Sequence, residues 1–260
     1  MESLKNCTLI TGGSEGIGLE FAKLFAKDKH NLIIVARNKI KLDEVKVDLE
    51  KQYDINVEIL AVDLAVDNSC EKIFNFVDEK NLVVDNLINN AGVGSFGFFY
   101  DSTQEFDENL ISINIRALTK LTKYFIKDMI KRKSGSIMNV ASTAAFVGGP
   151  KMAMYYSSKA YVLSLTEALH EEVKDLGIKV SCLCPGPVKT SFQNKSGIKK
   201  SKQAQKYLMD PQEVAKEGYK EFLKGKAIII PGTKNKLIVW LSKFIPRALS
   251  RKVILKNNTL

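Results

Sequence analysis

No stretch of about 18 uncharged apolar residues occurs in the chain, so the sequence offers no segment that would cross a bilayer as a helix. The opening MESLKNCTLITGG lacks the charged, apolar and cleavage-site succession of a secretory leader and runs directly into an apolar strand, so a cytoplasmic location is the expectation. Cysteine is scarce: Cys7, Cys70, Cys182 and Cys184 lie far apart except for one CLC triplet. They read as small buried hydrophobes, which sets aside a disulfide framework and leaves no metal site expected. Internal repeats, low-complexity tracts and Pro/Gly-rich linkers are also missing, and 260 residues suit one α/β domain spanning 1–260. Acidic residues are short in one region only. Residues 192–260 hold 16 Lys+Arg against 4 Asp+Glu, whereas residues 1–191 hold 23 against 25, so the net charge of +10 belongs to the tail. Such a segment can attract nucleic acid, anionic lipid or an acidic partner, but a solvated lysine-rich face is the commoner reading, and no nucleic acid is expected.

What is present is a regular alternation. Apolar β-branched runs (NCTLIT, NLIIVAR, NVEILAVDL, LVVDNLINNAG, GSIMNVAS, GIKVSCLCPG) are separated by segments of helical period, among them a long one ending at Lys133 and one around Tyr155 to Leu176. Strands that are apolar throughout, each followed by an amphipathic helix, imply a Rossmann-type doubly wound parallel sheet with helices on both faces. The polar, lysine-rich stretch 191–210 reads as a flap over the substrate site, and a helix is expected from near Pro211.

The first strand ends in TGGSEGIG, Thr11 to Gly18, directly before a helix. Glycines there let the backbone approach a pyrophosphate, and the helix N-terminus offers unpaired N–H groups; the spacing of Gly12, Gly16 and Gly18 differs from G-x-G-x-x-G, and a purely structural turn stays open on this motif alone. An acidic residue at the end of the second strand would bind free ribose hydroxyls, but IIVARN supplies Ala36 and Arg37. A guanidinium there suits a 2′-phosphate and favours NADPH/NADP over NADH, with a solvated Arg37 at a helix start as the plainer alternative.

TGGSEGIG, Asp63 in VDL, NNAG at Asn89 to Gly92, Asn114, Ser142 in NVAS, Tyr155 with Lys159, and PGPVKT together resemble, in order and spacing, the short-chain dehydrogenase/reductase family over about residues 4–190. Ser142 and Tyr155 are 13 apart and Asn114 and Tyr155 are 41 apart, an ordered set far more specific than any one motif. The resemblance implies that Gly12, Ser14, Gly16, Ile17 and Gly18 form the cofactor turn. It also implies that Asp63 and Leu64 lie along the adenine, that Asn90, Ala91 and Gly92 support the central strand and ribose, and that Pro185, Gly186, Val188 and Thr190 meet the nicotinamide end. Asn114, Ser142, Tyr155 and Lys159 match its catalytic tetrad, and Tyr155 and Lys159 also touch the cofactor. Self-association as a homodimer or homotetramer, through the helices before Lys133 and around Tyr155, is implied as well.

Chemistry supports the same roles. Carbonyl reduction leaves negative charge on oxygen as hydride arrives, so the site needs a proton donor there. A tyrosine of ordinary pKa near about 10 is a poor acid/base group at neutral pH unless a cation favours its phenolate, and a charge about 4 Å away shifts a pKa by roughly 0.7 to 3 units at effective dielectrics of 80 to 20. Lys159, four residues beyond Tyr155, is the expected cation. Tyr156 is only three before it and points about 100° away, so Tyr155 is preferred, with Tyr156 and Tyr161 assigned to packing or an interface. Ser142 would orient the carbonyl, and by resemblance Asn114 would hold a water leading from Lys159 to solvent.

Phe96, Phe98, Phe99, Phe146, Val147, Met152 and Met154 are expected near the nicotinamide, lining a pocket for an apolar ketone or aldehyde, or the corresponding alcohol. The tail LIVWLSKFIPRALSRKVILK resembles the branch that includes DltE-like reductases and steroid and 3-ketoacyl reductases. It reads as a helical extension over 236–260, in which Trp240, Leu241, Phe244, Ile245 and Leu249 interleave with Lys243, Arg247, Arg251 and Lys252 and Pro246 kinks one helix or separates two. Three uses stay open: packing over the pocket or a partner subunit, peripheral docking on an anionic membrane, and binding an acidic carrier protein. For the whole chain, reduction of an apolar carbonyl stands first, beside 3-oxoacyl reduction on a carrier and a non-catalytic dinucleotide-binding regulator or scaffold.

Overall fold

The computed structural model describes residues 7–94, 96–192 and 208–258. Most of the expected flap, 193–207, therefore lies outside the described residues. Seven strands form one parallel sheet: β1 (Cys7–Thr11), β2 (Asn31–Ala36), β3 (Val57–Ala61), β4 (Val84–Asn89), β5 (Gly135–Val140), β6 (Ile178–Leu183) and β7 (Ile228–Ile229), in the order β3-β2-β1-β4-β5-β6-β7. Around it stand α1 (Gly16–Lys27), α2 (Lys39–Tyr53), α3 (Ser69–Glu79), α4 (Gln104–Ile111), α5 (Leu118–Arg132), α6 (Ala153–Val173), α7 (Pro211–Leu223), α8 (Thr233–Ser242) and α9 (Arg247–Asn257).

The apolar runs form strands because both of their faces are covered. Side chains alternate across a strand. Leu9, Ile33, Leu87 and Val180 pack on one face against Ile73, Leu121, Phe125 and Met129 of α3 and α5, while Ile10, Ile34, Ile88 and Leu183 pack on the other against Phe21, Phe25, Val214 and Phe222 of α1 and α7. Polar caps set where helices begin: Asn38 Oδ1 accepts from Lys41 N at 3.0 Å, Thr103 Oγ1 from Phe106 N at 3.3 Å, and Asp210 Oδ1 from Gln212 N at 2.8 Å ahead of Pro211. α1 has no such side-chain cap.

The sheet reverses direction of growth between β1 and β4, where Thr11 pairs with Asn89, and Asn89 in turn pairs with Asn139 of β5. In this architecture ligands bind outside the carboxyl ends of the strands at such a switch point. A buried polar chain fastens it: Asn89 Nδ2 donates to Thr122 Oγ1 and Asn139 Oδ1, both at 2.9 Å, and Asn139 Nδ2 donates to Thr166 Oγ1 at 3.1 Å.

The long helical segment before Lys133 is interrupted. Residues Ser112–Ala117 form a π-helical turn between α4 and α5. Pro246 separates α8 from α9, the two-helix alternative for the tail. All four cysteines are buried free thiols. Among the described residues no helix is long and apolar enough to cross a membrane.

Candidate active site

The β1-to-α1 turn is shaped for close backbone approach. Gly12 has φ +65°, donates its N–H to Val35 O at 2.7 Å, and would bring a Cβ to 3.0 Å from Ala91 Cα. Gly18, in the first turn of α1, would place a Cβ 2.3 Å from Gly12 O. Asn90 holds the turn against β4, its Nδ2 donating to Thr11 O at 3.0 Å and Gly12 O at 3.1 Å, while the Asn90 and Ala91 N–H groups donate to Thr11 Oγ1. With no side-chain cap, the first N–H groups of α1 are available to an anion.

Ser14, Gly16, Ile17, Arg37, Asp63, Leu64, Asn90, Ala91, Gly92, Pro185, Gly186, Val188 and Thr190 all line one cavity of about 810 Å³, together with Ser142, Tyr155 and Lys159. That volume lies within the range of ligand pockets, roughly 300–1,000 Å³. Gly18 and Asn114 stand just behind its wall, Gly18 packed on Gly12 and Asn114 on Val93 and Gly92. Arg37 leaves the end of β2 with its side chain 56% exposed and Nη1 3.7 Å from Asp63 Oδ2. Asn38 and Lys41, one turn into α2, complete this rim, Lys41 Nζ pairing with Glu15 Oε2 at 2.9 Å. Neither was among the expected cofactor residues; Lys41, in the first turn of α2, was legible only as a further cation close after Arg37.

At the other end, β5 leads to Ser142 and α6 carries Tyr155 and Lys159. Ser142 Oγ accepts from Ala144 N at 3.1 Å and hydrogen-bonds the Tyr155 phenol. Lys159 is 4% exposed, donates to Val140 O at 2.8 Å, and lies 5.9 Å from the Tyr155 ring centroid. The π-helical turn aims Asn114 inward, where Oδ1 accepts from Val93 N at 2.9 Å and Nδ2 donates to Val93 O at 2.9 Å and Ser158 Oγ at 3.0 Å. A Cβ on Gly92 would stand 3.3 Å from both Asn114 Oδ1 and Lys159 Nζ, so the tetrad expected from the sequence converges on one spot.

Electrostatics differ from the sequence expectation. Burial pushes the Tyr155 phenol up to about 12, the Ser142 hydrogen bond pulling the other way, and burial draws the Lys159 ammonium down to about 8. Lys159 therefore does not bring Tyr155 toward neutrality in the protein alone, because desolvation outweighs a cation whose Nζ is turned to Val140 O.

The substrate end also departs from expectation. Of the seven residues expected to line it, Met152 alone does. Phe98 stacks on Tyr100 with Lys151 Nζ above its ring, Phe99 is 62% exposed, and Phe146 packs into a cluster with Val162 and Cys182; Phe96, Val147 and Met154 are half-buried outside the cavity wall. The wall is built instead by Phe106 and Asn109 of α4, Ile113 of the π-helical turn, Tyr156, Phe192 and Asn258. Tyr156 is thus more than a packing residue: its ring covers Gly149 and its phenol hydrogen-bonds Asn258. Tyr161 is partly exposed, sharing a hydrogen bond with Thr119 Oγ1 at 2.9 Å.

Comparison with known proteins places these features in context. The model of the short chain dehydrogenase family matches residues 6–201. A very-long-chain 3-oxoacyl-CoA reductase-like protein of Arabidopsis thaliana is 37% identical over 189 residues, which cover 70% of this chain and 59% of the plant protein. A 7beta-hydroxysteroid dehydrogenase of Mediterraneibacter gnavus is 27% identical over 234 residues, 89% of this chain and 88% of that one. Among solved structures, a short-chain dehydrogenase from Sphingobium yanoikuyae in complex with NADPH superposes with a TM-score of 0.82 at 29% identity, covering 93% of this chain and 97% of that chain. The chain spans 59–60% of the length of the 3-oxoacyl-CoA reductase relatives that it matches first.

Proposed function

The chain belongs to the short-chain dehydrogenase family, and from that premise we propose that it moves hydride between NADPH and an apolar ketone or aldehyde, or the corresponding alcohol. The carrying observation is that Ser142, Tyr155 and Lys159 line the same cavity as the glycine turn and Arg37, so a phosphate-binding end and a proton-donating end face one continuous space.

The residues fit the cofactor. Gly12 and Gly18 leave no room for a side chain where the backbone must approach a pyrophosphate, and the uncapped N-terminus of α1 supplies N–H donors. Arg37 and Lys41 would hold a 2′-phosphate, and Val188 and Thr190 would border the carboxamide end. When bound, NADPH supplies the hydride. The chain's own residues do the rest. Ser142 Oγ positions the carbonyl oxygen, and the Tyr155 phenol, neutral at pH 7, donates its proton to that oxygen as negative charge develops. Lys159, still charged below about pH 8, favours the phenolate left behind. Asn114 fixes the backbone at Val93 and orders the path by which Lys159 exchanges protons with solvent. In alcohol oxidation the same groups act in reverse.

Apolar walls from Phe106, Ile113, Met152 and Phe192 support an apolar substrate. A second reading, reduction of a 3-oxoacyl thioester, is favoured by the names of the first relatives and by the cationic tail. Oxidation of NADPH and NADH across aldehydes and ketones graded in apolar size, beside a 3-oxoacyl thioester, tests both. NADPH turnover that rises with apolar size supports the first reading, preference for the thioester supports the second, and tight NADPH binding without turnover of any carbonyl moves the protein to a regulatory role. We also take the protein to work in the cytoplasm as a homodimer or homotetramer joined through α4, α5 and α6, where Ile111 and Tyr161 stand partly exposed.

A further inference from the structure

α8 and α9 touch the body of the protein along a narrow stripe, Asn235, Val239 and Ser242 on one and Ser250 and Ile254 on the other. Their remaining large apolar residues face outward. Leu237, Ile238, Trp240, Leu241, Phe244 and Leu249 are all exposed, Trp240 to 56% and Phe244 to 69%, with the Trp240 and Phe244 rings 5.0 Å apart. A contiguous apolar surface of this kind on a soluble domain marks a contact site.

The charge around it selects the occupant. Residues 233–260 hold seven Lys+Arg and no Asp or Glu. Lys243, Arg247, Arg251, Lys252 and Lys256 are exposed and make no ion pair among the described residues. A second copy meeting this face through a two-fold axis would set cations against the same cations. An anionic lipid surface offers the complementary charge, and exposed Trp with neighbouring Lys/Arg is the composition of an interfacial helix. With 10 and 11 residues the helices are too short to span a bilayer, which takes about 20, and are suited to lie in its surface.

The position of the face adds a use for it. Asn258, at the end of α9, donates to Pro150 O at 2.9 Å and lines the cavity; Arg251 packs over Gly148; and Gly97 N donates to Lys151 O at 2.8 Å, tying the loop of the exposed Phe99 and Tyr100 to the same 148–151 segment. We propose that α8, α9 and the loop at 97–101 form a docking surface for an anionic phospholipid bilayer, laid around the mouth of the substrate pocket so that an apolar substrate passes directly between bilayer and pocket. The entry route rests on the function proposed above; the docking does not.

Trp240 is the sole tryptophan, so its emission reports the contact directly. The full chain is mixed with vesicles of phosphatidylcholine containing roughly one-third phosphatidylserine, or with pure phosphatidylcholine vesicles, and both cosedimentation and Trp240 emission are followed. Binding and a blue shift with the anionic vesicles, weakened by high salt, are expected. Phe244→Ser with Leu249→Ser, and separately Arg247→Gln with Lys252→Gln, should each lower partitioning by on the order of tenfold, with circular dichroism and NADPH affinity unchanged. Absence of binding to the anionic vesicles, or variants that partition like the parent, overturns the proposal. So does an emission already blue-shifted without lipid that moves to the red on dilution, which would name a second copy as the occupant. Docking is read without turnover, so failure of the proposed reaction and failure of the docking surface are distinguishable.

Discussion

Lys159 carries a cost in stability that the role proposed for it would explain. An ammonium with an unfolded-state pKa of 10.5 and a folded-state pKa of about 8 destabilises the protein at pH 7, because the unfolded chain holds its proton more tightly. The cost is fully present below pH 8 and disappears as pH rises through about 10.5, and it amounts to about 3 kcal/mol at about 1.4 kcal/mol per pKa unit. Lys159→Met removes the buried charge but leaves Val140 O without its donor, a loss of about 1 kcal/mol. Urea denaturation at pH 7 should therefore find Lys159→Met more stable than the parent by up to about 2 kcal/mol while carbonyl reduction collapses. The same ionisation sets the pH profile of turnover: reduction should be flat below about pH 8 and fall above it as Lys159 loses its charge. Arg37→Ala should raise the KM for NADPH by about 10- to 100-fold, the worth of one or two charge-assisted hydrogen bonds, and leave that for NADH nearly unchanged.

At the scale of elements, the glycine turn is the least tolerant part of the site. Gly18→Ala puts a Cβ 2.3 Å from the backbone oxygen of Gly12, so the turn must shift and NADPH affinity should fall at least about tenfold, at a stability cost of about 1–3 kcal/mol. Gly148→Ala, whose Cβ would meet only Arg251 at 3.5 Å, is the control expected to change neither. Thermal melts and NADPH titration check both. The glycine turn and the doubly wound sheet were legible in the sequence because their signals are local, glycines before a helix and apolar runs buried on both faces, whereas the meeting of Tyr155 with Ser142 was expected only through the family resemblance. The π-helical turn at Ser112–Ala117 was not, since SINIRA carries no Gly or Pro to break the helical period, and it shows only in the inward aim of Asn114. Pocket walls were read poorly for a related reason. Phe98 and Phe99 follow the NNAG motif closely in sequence, but their loop turns to solvent, whereas Phe106 and Asn258 reach the cavity from helices whose docking no local pattern encodes.

For the whole molecule, one sheet across seven strands holds the two ends of the cavity in fixed register, while seven cations with no acidic residue and a run of exposed apolar side chains sit on the last helices. This division separates what the body does from what the tail touches. It also explains why the tail's composition was legible but its partner was not: amphipathic charge names the kind of surface, and only the docked stripe at Asn235, Val239 and Ser250 shows which side is left open. Sedimentation of the lipid-free protein should find a dimer or tetramer, and substitution of Tyr161 by Lys on α6 should weaken it. The central claim is that Tyr155, not its neighbour, gives the proton to a carbonyl reduced with NADPH. The most direct measurement is NADPH oxidation by the parent, Tyr155→Phe and Tyr156→Phe with the best apolar ketone, alongside NADPH binding. Loss of kcat by about 10²- to 10⁴-fold in Tyr155→Phe, with NADPH affinity kept and Tyr156→Phe within a few-fold of the parent, is the expected result. Turnover that survives in Tyr155→Phe and is lost in Tyr156→Phe would contradict it.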